Sequence, residues 1–136
     1  MSAEKSVLDC VDAIKVSSVL NGDVKSYGKQ NLTDGNPDTC WNSDKGEGQF
    51  IMLRFSAPSS LSGIELMFQG GFAPVRILVH LKDELVAEFS PRDCNDLQHF
   101  EFPEAVHVEA KDVLQLLLPK SWDLFGRITV YSLNLY

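Results

Sequence analysis

The amino-acid sequence predicts an all-β protein, an antiparallel β-sandwich, from three observations. The dominant apolar period is two, the alternating runs are short, and turn chemistry separates one run from the next. A period of two places every second side chain on the same face of a strand, the pattern of a sheet buried on one side. With 136 residues the chain has the length of one ordinary domain, and residues 1–136 are read as a single one.

The elements follow in chain order. Residues 1–13 are an expected N-terminal lead-in, helical or irregular, because Val7, Cys10, Val11 and Ile14 recur at a helix-like spacing. Residues 27–44 read as a long structured turn: Gly28, Gly35 and Pro37 punctuate it, and Asn31, Asp34, Asn36 and Asp38 can bond their own backbone. Trp41 ends that turn, and a side chain so large is expected to anchor the loop against the sandwich. Strand patterns then begin. Ile51, Leu53 and Phe55 share a face in 50–55, and Ile64, Leu66 and Phe68 share one in 61–68. In 74–81, Val75, Ile77, Val79 and Leu81 alternate with Arg76, Leu78 and His80. Further strands are predicted at 84–89, 97–102, 105–109, 112–118 and 127–135, divided by Ser90-Pro91, Phe102-Pro103-Glu104 and Pro119. Many short strands with little helical periodicity give a sandwich.

Composition excludes several classes of function. Apolar residues are 44% of the chain and charged residues 23%, values of a folded domain rather than a disordered one. A net charge of −7 lacks the clustered Lys and Arg that bind a phosphate backbone, so no direct nucleic-acid ligand is expected. The start, MSAEKSVLDCVDAIKV, contains no apolar run of the signal-peptide kind, and the apolar stretch around Leu116–Leu118 is too short to cross a bilayer. No membrane association is expected, and the protein is placed on the cytosolic or nuclear side. Cys10, Cys40 and Cys94 are odd in number and widely spaced, which suggests reduced buried thiols rather than a disulfide framework or a zinc site.

The run Asn31-Leu32-Thr33-Asp34-Gly35-Asn36-Pro37-Asp38-Thr39-Cys40-Trp41-Asn42-Ser43 resembles the DGNxxTxW signature of the discoidin, or coagulation-factor C-type, domain family and its galactose-binding-like relatives. Residues 125–136 resemble that family's closing strand, and the likeness extends over essentially the whole chain. It implies an eight-stranded jelly roll. Extracellular members commonly carry a cysteine near each end, whereas Cys10 has no counterpart near Tyr136, so a cell-surface role loses its support. The chain is similar instead to intracellular members, among them subunits of the anaphase-promoting complex and of intraflagellar transport, and most of all to a small stand-alone member associated with a nuclear receptor. That likeness implies a non-catalytic, monomeric protein-binding module, with an orphan nuclear receptor as partner. It also implies repression of receptor-mediated transcription, and a protein located in the nucleus and also in the cytoplasm. A carbohydrate-binding module and an adaptor subunit of an intracellular complex are the alternatives.

Some relatives hold calcium in the DGNxxT turn, which makes Asn31, Asp34, Asn36 and Thr39 candidate ligands through carboxylate, hydroxyl and carbonyl oxygens. The last strand offers Ser132 where such sites have a second acid, and a single formal charge makes a weak calcium site. The other reading is a turn that caps its own backbone, and no cofactor is required in either case.

In a jelly roll of this type the loops at one end form the ligand surface. Candidates are 21–28, 41–48, 69–74 and 120–125, and within them Gly70, Gly71, Phe72, Trp122 and Phe125 are the predicted partner-binding residues. Apolar side chains in loops either form an exposed partner patch or fold back to plug the barrel end. Arg92, Asp93 and Asp96 are expected to form a solvated turn. Leu114-Gln115-Leu116-Leu117-Leu118 satisfies LxxLL, the pattern of helices that enter a receptor groove; between Asp112 and Pro119 it is too short for a stable helix and reads as core strand.

No catalytic constellation is recognisable. His80, His99 and His107 fall within strand patterns with no nucleophile at a defined spacing, so no enzyme is predicted. A sugar platform would draw on Trp41, Trp122, Asn42 and Arg127.

Overall fold

The structure, a computed structural model, describes residues 7–136. Nine strands lie among the described residues: β1 (Val11–Val16), β2 (Trp41–Asn42), β3 (Gln49–Phe55), β4 (Ser59–Phe68), β5 (Ile77–Leu81), β6 (Glu84–Phe89), β7 (Leu97–Val108), β8 (Val113–Leu118) and β9 (Thr129–Leu135). Two antiparallel sheets face each other, ordered β1-β3-β8-β5-β6 and β2-β9-β4-β7. This is the β-sandwich that the alternating pattern predicts, with nine strands, the two-residue β2 included, where the resemblance implies eight.

The core is built by matching phases on the two inner faces. Ile51 and Leu53 of β3 stand opposite Leu116 and Leu114 of β8, and Val79 of β5 opposes Leu116 on the other side. All five are buried. The LxxLL run is therefore a central strand with neighbours on both sides: Leu114, Leu116 and Leu118 are buried and Leu117 lies on the outer face. In β4 the register shifts between Leu61 and Gly63, so Leu61 and Ile64, three apart, both face the core. A bulge of this kind resets the alternation.

Three expectations are corrected. Strand β1 begins inside the predicted lead-in, because Val11, Ile14 and Val16 pack against the core while the backbone pairs with β3; the remaining residues of the lead-in are the 3₁₀ turn Val7–Cys10 and residues 1–6, which lie outside the described ones. The strands predicted at 97–102 and 105–109 are one strand, β7. The break at Phe102-Pro103-Glu104 survives within it as an irregularity opposite the β4 bulge. The three cysteines are free and half-buried rather than buried, and burial pushes the Cys40 thiol up.

Trp41 anchors the long turn as expected. It is fully buried, pairs with Val130 of β9, and its Nε1–H donates to the Ser18 carbonyl at 2.9 Å. His80, His99 and His107 are strand residues, of β5 and β7. Among the described residues no helix is long and apolar enough to cross a membrane.

Candidate functional site

Three loops meet at one end of the sandwich: 43–48 between β2 and β3, 69–76 between β4 and β5, and 119–128 between β8 and β9. Backbone hydrogen bonds join them. Trp122 N–H donates to the Ala73 carbonyl at 3.0 Å, Val75 N–H to Lys120 at 2.8 Å, and Gly46 N–H to Phe125 at 2.7 Å. Ser43 fastens the same corner, its hydroxyl oxygen accepting from Ile128 N–H at 2.8 Å. Gly126 is required there: its φ is +80°, and a Cβ would lie 2.6 Å from the Gly46 backbone.

Arg127 organises this end. Its guanidinium carbon lies 5.4 Å from the ring centre of Phe72 and 5.5 Å from that of Phe125, so one cation bridges aromatics of two loops. Asp123 holds it in place, with Oδ2 accepting from Nε at 3.0 Å. The hydrogen bond from Arg127 keeps the Asp123 carboxyl below its ordinary value. Ser121, buried at the base, donates to the Arg127 carbonyl at 2.6 Å and accepts from Asp123 N–H at 3.0 Å.

The predicted partner-binding residues are thereby brought together, with different exposures. Phe72 is half-buried over Arg127, while Trp122 and Phe125 are 55% and 63% exposed rather than folded back. Leu124, which the sequence reading passed over, is 96% exposed between them. Trp122 and Leu124 border a cavity of about 360 Å³, with Val75, Glu47 and Lys120 among its other lining residues. The expectation of a solvated turn at Arg92, Asp93 and Asp96 is corrected in part, because that turn supports the site. Asp93 Oδ1 accepts from Gly71 N–H at 2.8 Å, and Asn95 Oδ1 from Gly70 N–H at 2.9 Å, fixing the tip that carries Phe72. Loop 21–28 instead contains the one-turn helix α1 (Val24–Tyr27) and contributes none of the contacts described for this end.

The polar groups of the remaining candidates are engaged locally. In the DGNxxT turn both Asp34 oxygens are already engaged, Oδ1 by Asn36 N–H at 2.9 Å and Oδ2 by the Thr39 hydroxyl at 2.6 Å. Asn36 Oδ1 accepts from Asp38 N–H, and the Asn31 amide donates to the Ser26 and Cys40 carbonyls. One carboxylate satisfied by donors of its own turn does not fit the oxygen-rich, multiply charged cage of a calcium ion. Among the described residues no three His, Cys, Asp or Glu side chains are grouped to hold a metal. Of the residues named for a sugar platform, Trp41 is buried and can offer no face, while Arg127 is bonded to Asp123.

Comparison with known proteins places the chain. A Xenopus tropicalis protein named nuclear receptor 2C2-associated protein is 46% identical over 134 residues, spanning 95% of this chain and 96% of its own length. Danio rerio and Homo sapiens proteins of the same name are 43% and 35% identical, over 89% and 93% of this chain and 87% and 93% of theirs. The chain belongs to the nuclear receptor 2C2-associated protein family. No family model matches it. Solved structures similar to this family member show the fold. The F5/8 type C domain of a Bacteroides fragilis protein has a TM-score of 0.73 at 16% identity, covering 91% of this chain and 89% of that one. A chitosan-binding module from Paenibacillus in complex with chitotriose has a TM-score of 0.72 at 17% identity, covering 91% and 95%. A family 32 module from C. perfringens in complex with galactose has 0.72 at 16%, covering 90% and 91%. The sandwich is thus of the discoidin and galactose-binding-like kind.

Proposed function

We propose that the chain is a non-catalytic protein-binding module that associates with nuclear receptor 2C2 through the loop end and represses receptor-driven transcription. The observation that carries the reading is the exposed trio Trp122, Leu124 and Phe125, held on a rigid base by Asp123, Arg127 and Gly126. Large apolar side chains are costly to leave in water unless a partner covers them, and aromatic anchors on a fixed backbone dominate binding energy. The partner is taken from the name the relatives share. The protein acts as a monomer, in the nucleus and also the cytoplasm, with no cofactor.

Repression follows if the acidic chain, at −7, occupies a basic DNA-binding region of the receptor. Opposite net charges speed encounter at low salt, and a covered DNA-binding region cannot hold DNA. The test is a titration of the purified protein into a fluorescent receptor–DNA complex. Release of DNA, weakened by Trp122→Ala, is the expected result. A ternary complex with DNA still bound would make the protein an adaptor on the receptor rather than a competitor for it.

A further inference from the structure

A second surface lies away from the loop end, where the open edges of the two sheets run side by side. Strand β6 ends the order of one sheet and β7 that of the other, so among the described residues each has one side of its backbone without a neighbouring strand. At one end the edges are closed by Phe89, whose ring centre is 5.2 Å from Phe100 and 6.1 Å from Phe102. Towards the Lys82-Asp83 turn they part around a groove of about 400 Å³, lined by Leu81, Leu85, Val86, Val106, Glu84 and Glu104 among others.

Both edges break their ladders at this level. The β5–β6 register passes from Val79 opposite Ala87 to His80 opposite Leu85, which leaves Val86 unmatched. Strand β7 advances from Glu101 to Val106 while β4 moves only from Gly63 to Leu61. Bulges redirect side chains out of the regular alternation, and here they leave Leu85 51% exposed with Glu84 and Glu104 exposed beside it. The neighbouring acids Glu88 and Asp112 are paired, with Arg76 and Lys82. Glu84 and Glu104 have no such partner among the described residues.

We propose that this seam is a docking groove for a short, extended, basic segment of a partner protein. The segment adds to the free edge of β6, sets an apolar side chain over Leu85 and Val86, and places flanking Lys or Arg against Glu84 and Glu104. Charge decides the occupant. A second copy docked edge to edge would set the same acids against each other, which is destabilising, whereas a basic strand neutralises them. The groove is separate from the loop end and requires no particular receptor.

The probe is a fluorescein-labelled peptide of alternating Lys or Arg and Val, six residues long, read by anisotropy at neutral pH and moderate salt. Saturable binding is expected, with amide exchange slowed at Leu85 and Val86. Ala105→Trp, which fills an exposed position of the groove without touching charge, and the double variant Glu84→Lys with Glu104→Lys are each expected to weaken binding by about tenfold or more. Trp122→Ala is expected to leave it unchanged. Equal binding of a peptide with Gly in place of Val would reduce the effect to charge attraction and overturn the groove, as would unchanged affinity in both groove variants or no saturable binding. A concentration-dependent dimer abolished by Ala105→Trp would make a second copy the occupant and overturn the proposed partner. The anisotropy of both variants is interpreted alongside their thermal unfolding, and Ala105→Ser serves as a neutral control at the same position.

Discussion

Asp123 and Arg127 are bonded to each other twice through one oxygen: Asp123 Oδ2 accepts from the guanidinium Nε at 3.0 Å and from the Arg127 backbone N–H at 3.1 Å. These bonds direct the Arg127 side chain, and the rings of Phe72 and Phe125 sit against its cation.

The pair has a pH signature. Arg127 holds the Asp123 carboxyl below its ordinary 3.8. A carboxyl depressed by folding contributes stability that is complete above its unfolded value and is lost as pH falls through the folded one. Wild type is therefore expected to melt higher than Asp123→Asn at neutral pH, with the difference constant down to the ordinary carboxylate range and shrinking below pH 3.8. A difference that grows in acid would contradict the clamp.

The leucine run separates core from surface residue by residue. Leu116→Ala removes a fully buried side chain opposite Ile51 and Val79 and is expected to cost about 2–5 kcal/mol. Leu117→Ala, on the outer face of β8, is expected to cost much less and to leave receptor binding intact. Loss of binding in Leu117→Ala with normal thermal stability would restore the helix-in-groove reading of LxxLL.

Trp41 and Trp122 are predicted to behave oppositely. Trp41→Phe leaves the Ser18 carbonyl without its donor and opens space in the core, an expected loss of about 1–3 kcal/mol in denaturant unfolding. Trp122→Phe, at a 55% exposed position, is expected to stay within about 0.5 kcal/mol of wild type.

Calcium is expected to leave the melting temperature unchanged, because each Asp34 oxygen already accepts a hydrogen bond within the turn, from Asn36 N–H and the Thr39 hydroxyl, and a single carboxylate makes a weak site. An occupied site at a hundredfold excess over its dissociation constant would add about 2.7 kcal/mol. A calcium-dependent rise in melting temperature that Asp34→Asn abolishes would show that the ion displaces those donors.

The contrast between legible and illegible parts of the molecule has physical causes. Strands β3 and β8 are read from sequence because each is buried on one face and alternates along its length. Strand β1 is an edge strand with a bulge between Val11 and Ala13, and its apolar residues fall at a spacing that a helix would also use. Strand β2 has two residues, too few to carry a period. Trp122 and Phe125 stand out as apolar residues in a loop, and the same argument applies to Leu124, which was available to sequence reading and missed. The Asp93 and Asn95 contacts to Gly71 and Gly70 are different, since they link residues 22 and 25 apart and depend on how two loops pack. No local pattern announces such a pairing.

The most direct test of the account is the affinity of the purified protein for nuclear receptor 2C2, measured by calorimetry for wild type, Trp122→Ala, Leu124→Ala and the core-neutral outer-face variant Leu117→Ala. Each loop variant is expected to lose at least 1 kcal/mol of binding free energy, about fivefold or more in affinity, with its melting temperature close to that of wild type. Leu117→Ala is expected to bind as wild type does. Undiminished affinity in both loop variants, or no binding by the wild-type protein, would contradict the assignment of the loop end as the receptor contact.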